Sequence, residues 1–331
     1  MIALDANGAD GGPTMVAEGA RRSGEQVLLF GPAAELAGVR GEVVDAPERI
    51  SGHEEPVRAV RSRPEASIVQ AAKAVADGRA EALVSAGSTG PTLAAATLSI
   101  KRLRGVHRPA IAALLPLPTG PALLLDAGAN TEVRPEHLVQ FAHMGAAFME
   151  AVVGTERPRV GLLSVGSESG KGTPDVLAAG ERLREGDLNF AGNVEGFDLT
   201  GGTVDVIVTD GFTGNVALKV AEGASRTVRD AIRDRVRAGG PLAMLGGLLI
   251  RGPVGRLRAE LDPERVGGAL LLGLRRPVVI AHGSFGPDGI AAAVGLARRA
   301  VDERMVERTA DALERAGVLR SVPAGSVATN G

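Results

Sequence analysis

Short, unbroken apolar runs recur along the chain and alternate with longer stretches of helical periodicity. The runs fall at residues 1–4, 27–30, 82–85, 110–115, 122–126, 159–164, 204–209 and 277–281. They are continuous rather than alternating, the pattern of strands buried on both faces. Between them, residues 66–77, 135–153, 173–184, 216–236 and 289–315 place apolar side chains three or four apart, which predicts helices. Strands alternating with helices predict an α/β fold, a three-layer α/β/α arrangement around a mostly parallel sheet. No linker divides the pattern, so residues 1–320 read as one domain, and 321–331 as a flexible tail. Residues 40–64, charged and dotted with proline, read as a surface excursion, and 239–274 as a helical excursion.

Six glycine-rich segments follow the apolar runs: 6–13, 86–91, 127–130, 165–173, 210–215 and 282–286. In open α/β sheets ligands bind beyond the carboxyl ends of the strands, so these loops are expected on one rim, forming one site. Two of them share a grammar. "ALVSAGSTGPTLAAA" and "VIVTDGFTGNVALK" each run strand, Gly-x-Thr-Gly, helix. Amides at a helix start attract anions, which makes Ser88, Thr89, Gly90, Thr213 and Asn215 candidate phosphate ligands. The alternative is that these hydroxyls and amides merely cap helices. "SVGSESGKGTPD" fails as a nucleotide-phosphate loop by one residue of spacing, and Gly172 stands where Ser or Thr is needed. Lys171 can still reach an anion, or remain a solvated loop lysine. His282 follows a strand directly and can act as acid, phosphate donor or structural donor. No Gly-x-Ser-x-Gly and no Gly-x-Gly-x-x-Gly is present, which argues against a serine nucleophile and a dinucleotide site.

Composition narrows the classes further. The chain has 331 residues, 44% of them hydrophobic, and a net charge of −2, which disfavours a nucleic-acid binder. With no cysteine there is no disulfide, thiolate metal ligand or thiol nucleophile, and the chain fits the cytosol. No metal-ligand spacing is evident. No signal peptide opens the chain, and no run of about 18 apolar residues predicts a spanning helix. The residues alone thus point to an α/β enzyme with an anion-binding site.

At this point the chain strongly resembles one family, the bacterial acyl-acyl-carrier-protein:phosphate acyltransferases. The resemblance rests on ordered motifs from residue 1 to about 315: "SAGSTG", "RPAIAALLP", "LLDAGAN", "PEHLVQFAHMG", "PRVGLLSVGSESGKG", "NFAGNVEG", "VIVTDGFTGNVALK", "GGALLLG" and "AHGS". Departures from the family pattern fall at Asn7, Ala9, Ser88, Phe197 and Phe285. The resemblance implies an isocitrate dehydrogenase- or phosphotransacetylase-like fold and a homodimer. It implies transfer of a fatty acyl group from acyl carrier protein to inorganic phosphate, without cofactor or metal, giving an acyl phosphate for phospholipid synthesis. It also implies Lys171, His282, Asn215 and Asp210 for the chemistry, and Ser88, Thr89, Gly90, Thr213, Lys219 and Asn130 for phosphate. Rival readings are a phosphotransacetylase-like enzyme acting on acyl-coenzyme A, or a non-catalytic module that binds a carrier protein or a membrane.

The segment "PLAMLGGLLIRGPVGRLRAEL" places Leu242, Leu245 and Leu249 on one helical face and Ile250, Val254, Leu257 and Leu261 on another, with Pro253 starting a second helix. It predicts a helical hairpin with an apolar tip flanked by Arg251, Arg256 and Arg258. Such a tip either packs inside the protein or rests on a membrane; the resemblance implies a cytoplasmic protein, peripherally attached, that works beside a membrane glycerol-3-phosphate acyltransferase. The arginines, with "KRLRGVHR" and Arg275–Arg276, are also candidate contacts for an acidic carrier protein.

Overall fold

The computed structural model describes residues 1–36 and 38–319, without the side chains of Arg258 and Pro263; the tail expected at 321–331 lies outside them. Its centre is one eleven-stranded sheet of β1 (Ile2–Asp5), β2 (Val27–Gly31), β3 (Gly41–Asp45), β4 (Ala82–Ser85), β5 (Ala110–Leu115), β6 (Ala122–Leu125), β7 (Val160–Leu163), β8 (Phe190–Val194), β9 (Val206–Val208), β10 (Ala269–Leu272) and β11 (Val278–Ile280). The order across the sheet is β3-β2-β1-β4-β11-β10-β5-β6-β9-β7-β8. Among the described strands, antiparallel pairing occurs at β11–β10, β10–β5 and β5–β6. The expected α/β/α architecture is present, with a sheet that is mostly parallel.

The helices are α1 (Gly12–Ser23), α2 (Pro56–Ser62), α3 (Ser67–Ala76), α4 (Thr89–Ser99), α5 (Pro135–Phe148), α6 (Pro174–Glu185), α7 (Asp198–Gly201), α8 (Gly211–Ala238), α9 (Gly240–Leu249), α10 (Arg251–Glu260), α11 (Pro263–Val266), α12 (Pro287–Asp302) and α13 (Met305–Arg315). One face of the sheet carries α1, α5, α6, α12 and α13, around Phe141 and Phe148. The other carries α2, α3 and α4 over one half and the start of α8 over β6. Each fully buried Leu, Ile, Val or Phe on these faces contributes about 1.5–3 kcal/mol, and the central strands are buried on both sides, as their unbroken apolar pattern requires.

Three expectations need correction. The stretch 289–315 is two helices, because Arg304 takes a left-handed φ of 52° between α12 and α13 and turns the chain. The "excursion" at 40–64 holds edge strand β3 and helix α2. The helical excursion 239–274 ends earlier than predicted, since Ala269–Leu272 is a strand in the middle of the sheet. That strand is reached through Gly267 and Gly268, at φ 88° and 111°. A Cβ on Gly268 would meet the Ile280 carbonyl oxygen at 2.4 Å. Gly268→Ala should therefore destabilise the fold by roughly 3 kcal/mol or more. The check is the midpoint of chemical unfolding; an unchanged midpoint would show that this close approach is not a constraint.

Candidate functional site

Strand direction decides where the six glycine-rich loops emerge. β1, β4 and β11 run one way; β6, β9 and β7 run the other, because the antiparallel pairings lie between the two sets. The single rim expected from the sequence is therefore two rims. Loops 6–13, 86–91 and 282–286 leave the first; loops 127–130, 165–173 and 210–215 leave the second.

The first rim is organised by Asp5, buried at the end of β1. One carboxylate oxygen accepts from Ser67 Oγ at 2.6 Å and the Asn7 amide at 3.2 Å; the other accepts from Ser85 Oγ at 2.8 Å. Burial pushes its pKa up, and these bonds oppose the rise. Ser85 Oγ accepts from the Gly87 amide at 3.0 Å, which shapes the turn before α4. Gly8 lies against Gly87 so closely that a Cβ would sit 2.1 Å from its Cα. Asn7 Nδ2, at a departure from the family pattern, donates to the carbonyls of Ala46 and Pro47. This ties down the segment carrying Arg49 and Gly52, and a Cβ on Gly52 would lie 2.5 Å from Ser88 Oγ. A cavity of about 10 Å³ lies between Asp5, Gly8, Arg49 and Ser88, room for one water rather than a phosphate.

α4 starts at Ser88, in extended conformation, with no side-chain cap bond. The Thr89 and Gly90 amides have no helical carbonyl to bond, and Pro91 has no N–H. Next to this turn, the Ala281 amide donates to the Ser85 carbonyl, which brings His282 alongside. The exposed His282 has Nδ1 2.8 Å from Ser284 Oγ and its ring over Phe285. Phe285, another departure from the family pattern, is buried.

The second rim has its own buried carboxylate. Asp126 Oδ1 accepts from the amides of Ile111, Gly128 and Ala129, and Oδ2 from the Asn130 amide and Asn130 Nδ2. Burial is the largest influence on Asp126 and raises its pKa, against those donors. Asn130 is buried and its amide nitrogen also donates to the Pro109 carbonyl at 2.8 Å, so its donors are occupied internally. Asp210 caps α8, accepting from the Thr213 amide at 2.8 Å. Asn215 Nδ2 donates to the Ala127 carbonyl. Thr213 and Lys171 are exposed on this rim. Lys219 pairs with Glu222 at 2.9 Å, about 12 Å along α8 from its start.

The candidates thus sort by rim. Ser88, Thr89, Gly90 and His282 stand together at the first; Asn130, Lys171, Asp210, Thr213 and Asn215 stand at the second. The two buried aspartates are not picked out by these motifs, although each ends an apolar strand as Leu-Asp-Ala, followed by Gly128 in one case and by Asn7-Gly8 in the other. Folding also gathers His107, Glu136 and His137 with ligand atoms within 4.8 Å, which no spacing revealed. Burial lowers the His137 pKa, as do His107, Arg108 and Arg134. Its Nδ1 accepts from the Arg134 amide. A cationic neighbourhood and an occupied ring nitrogen do not suit a bound cation.

A family model described as "Fatty acid synthesis protein" matches residues 1–308. The phosphate acyltransferase of Thermobifida fusca is 46% identical over 97% of this chain and 92% of its own. The phosphate acyltransferase of Thermotoga maritima is 40% identical over 92% of this chain and 94% of its own. Among solved structures, a phosphotransacetylase from Streptococcus pyogenes superposes with a TM-score of 0.58 at 17% identity, covering 95% of this chain and 94% of its own. A 4-hydroxythreonine-4-phosphate dehydrogenase from Klebsiella pneumoniae gives 0.52 at 14%, covering 91% and 99%. At such identities the structural likeness is one of fold.

Removing the carboxylate of Asp126 strands five N–H groups at once. Asp126→Ala should cost at least about 3 kcal/mol of stability, read as a large fall in melting temperature. A melting temperature within a degree or two of wild type would mean that water satisfies those donors.

Proposed function

The chain belongs to the phosphate acyltransferase family, and on that premise we propose that it moves a fatty acyl group from a carrier-protein thioester to inorganic phosphate at the first rim. A phosphate oxygen attacks the thioester carbonyl carbon. The carbon–sulfur bond then breaks, sulfur leaves with the electron pair, and an acyl phosphate remains for phospholipid synthesis. The nucleophile is already an anion and a thiol of pKa about 8.5 leaves readily. The protein's task is therefore to hold the phosphate, offset its charge and stabilise the oxyanion.

One observation carries the placement. α4 and α8 begin with the same Gly-x-Thr-Gly grammar, but Asp210 occupies the start of α8 with its own carboxylate, whereas the start of α4 has no side-chain cap. An incoming anion is attracted to the second kind of helix end and repelled by the first. Phosphate at the Ser88, Thr89 and Gly90 turn leaves His282, on the neighbouring strand end, to serve the thioester oxygen and the departing sulfur.

An acidic carrier protein suits the arginines of α10. Arg251 and Arg256 are exposed there, and α11, which follows, is tied to the first rim by the Gly286 amide donating to Glu264. The side chain of Arg258 lies outside the described residues. Lys101, Arg102 and Arg104, joined to Arg275 through its bonds to the Lys101 and Arg102 carbonyls, form a second basic surface at the other rim.

The long helix α8 and the hairpin behind it favour a second copy and a membrane surface as partners. Phe212, Val216, Val220, Val228 and Ile232 lie exposed along α8 at spacings of four and eight, a single apolar stripe suited to a homodimer. α9 buries no residue and exposes Leu242, Met244, Leu245, Leu248 and Leu249. Among the described residues no helix is long and apolar enough to cross a membrane. The hairpin therefore suits peripheral attachment, where a membrane acyltransferase takes up the poorly soluble product.

Three outcomes are expected. Ser88→Ala should raise the KM for phosphate about tenfold, the loss of one charge-assisted hydrogen bond, while His282→Ala should lower kcat more than it raises that KM. A rise in phosphate KM confined to Lys171→Ala would move the phosphate to the other rim. Arg251→Glu with Arg256→Glu should weaken the acyl-carrier substrate strongly, and wild-type affinity for it should fall with added salt; affinity flat in salt would count against charge-guided docking. Leu245→Glu with Leu249→Glu should abolish sedimentation with anionic liposomes and leave soluble acyl transfer intact; if it unfolds the protein or splits the dimer, the hairpin is structural.

A further inference from the structure

Helix cover over the sheet is uneven on the α4 side. α4 packs over β11 and α8 over β6, with β10 and β5 lying between them. Three strand spacings separate β11 from β6, about 14 Å, whereas helices in contact have axes 8–10 Å apart. α4 and α8 accordingly do not pack against each other, and the strip of sheet between them forms an apolar slot.

Side-chain exposure shows that cover is thinner on this face. On the α5 side of the sheet, Ala110, Ala112, Leu270 and Leu272 are at most 1% exposed. On the slot side, Ala113 and Ile280 reach 8%, and Ala269, Leu93 and Leu218 are only partly buried. The floor is also graded. Ala269 lies directly between Ala113 and Ile280, nearest the first rim, while the next pair toward the other rim is the bulkier Leu271 and Ile111. The slot is thus deepest below the rim that carries Ser88 and His282, and about 7 Å further on larger side chains fill it.

We propose that this slot receives the first part of the fatty acyl chain, and that Ala113 and Ala269 set how bulky or long an acyl group can be accepted. The proposal rests on the acyl-transfer reading above. It supplies the one element that the polar rim lacks, an apolar surface continuous with the place where the thioester carbonyl must sit. The commitment is to an acyl chain rather than a peptide, because the floor offers small aliphatic side chains and no polar group.

The experiment combines labelling and kinetics. A palmitoyl-carrier thioester with a diazirine near the carbonyl end, photolysed on the wild-type protein, should label peptides holding residues 110–115 or 269–272. Labelling confined to α9 and α10 would overturn the proposal. Ala113→Leu, and Ala269→Val as a milder change, should lower kcat/KM for palmitoyl thioester at least tenfold. They should leave the KM for phosphate within about threefold and shift preference toward shorter acyl groups. If long and short chains lose activity equally in folded variants, or neither loses any, the slot does not hold the chain. Wild-type protein that labels in the slot yet forms no acyl phosphate from any thioester would instead refute the transfer reading and leave the slot standing.

Discussion

A strand has a direction, and everything at the edge of a sheet inherits it. Here the direction reverses across β11, β10, β5 and β6. Without that reversal all six glycine-rich loops would share one rim, and the lysines, asparagines and His282 would face a common ligand. With it, two sets of loops face opposite ways, and the middle of the sheet is left as a floor between two helices that run from opposite ends. The division of the candidate residues between two rims, and the apolar strip of sheet between α4 and α8, follow from this one constraint.

Each half of the sheet then solves the same local problem. A glycine-rich loop carries many N–H groups and few side chains to satisfy them. A carboxylate placed where the strand stops gathers those groups from within: Asp5 through Ser85, Ser67 and Asn7; Asp126 through four backbone amides and Asn130. The halves differ in what remains. Asp210 caps the start of α8 through the Thr213 amide, whereas the start of α4 has no side-chain cap.

What could be read from the residues was what local periodicity encodes. Apolar runs buried on two faces are unmistakable, and β1, β2, β4, β5, β6, β7, β9 and β11 lie where those runs fall. β10 has the same composition, Ala-Leu-Leu-Leu, but it follows a helical hairpin and two glycines, and nothing local separates it from that hairpin. Pairing direction is not a local property, which is why one rim was expected and two were found. The Gly-x-Thr-Gly segments do lead into helices, as their pattern predicts. The hydrogen bond from the Thr213 amide to Asp210 distinguishes the two helix starts, and the shared motif does not reveal it. Asn130 stood beside Asp126 in "DAGAN", yet its burial depends on Pro109, twenty-one residues earlier.

α8 has a further consequence. Of its twenty-eight residues, only Gly211 and Gly214 are buried, and the α9 hairpin continues from it without a core of its own. An isolated helical arm draws little stability from propensity alone, so its order depends on what covers it. Such an arm is expected to open more readily than the sheet that carries it, its amides exchanging sooner than those of β1 or β6. Whatever damps that breathing, a second chain or a lipid surface, acts on the same helix that forms one wall of the slot. On the proposed placement of the acyl chain, occupancy at the periphery would bear on its fit through local order rather than through any change of shape.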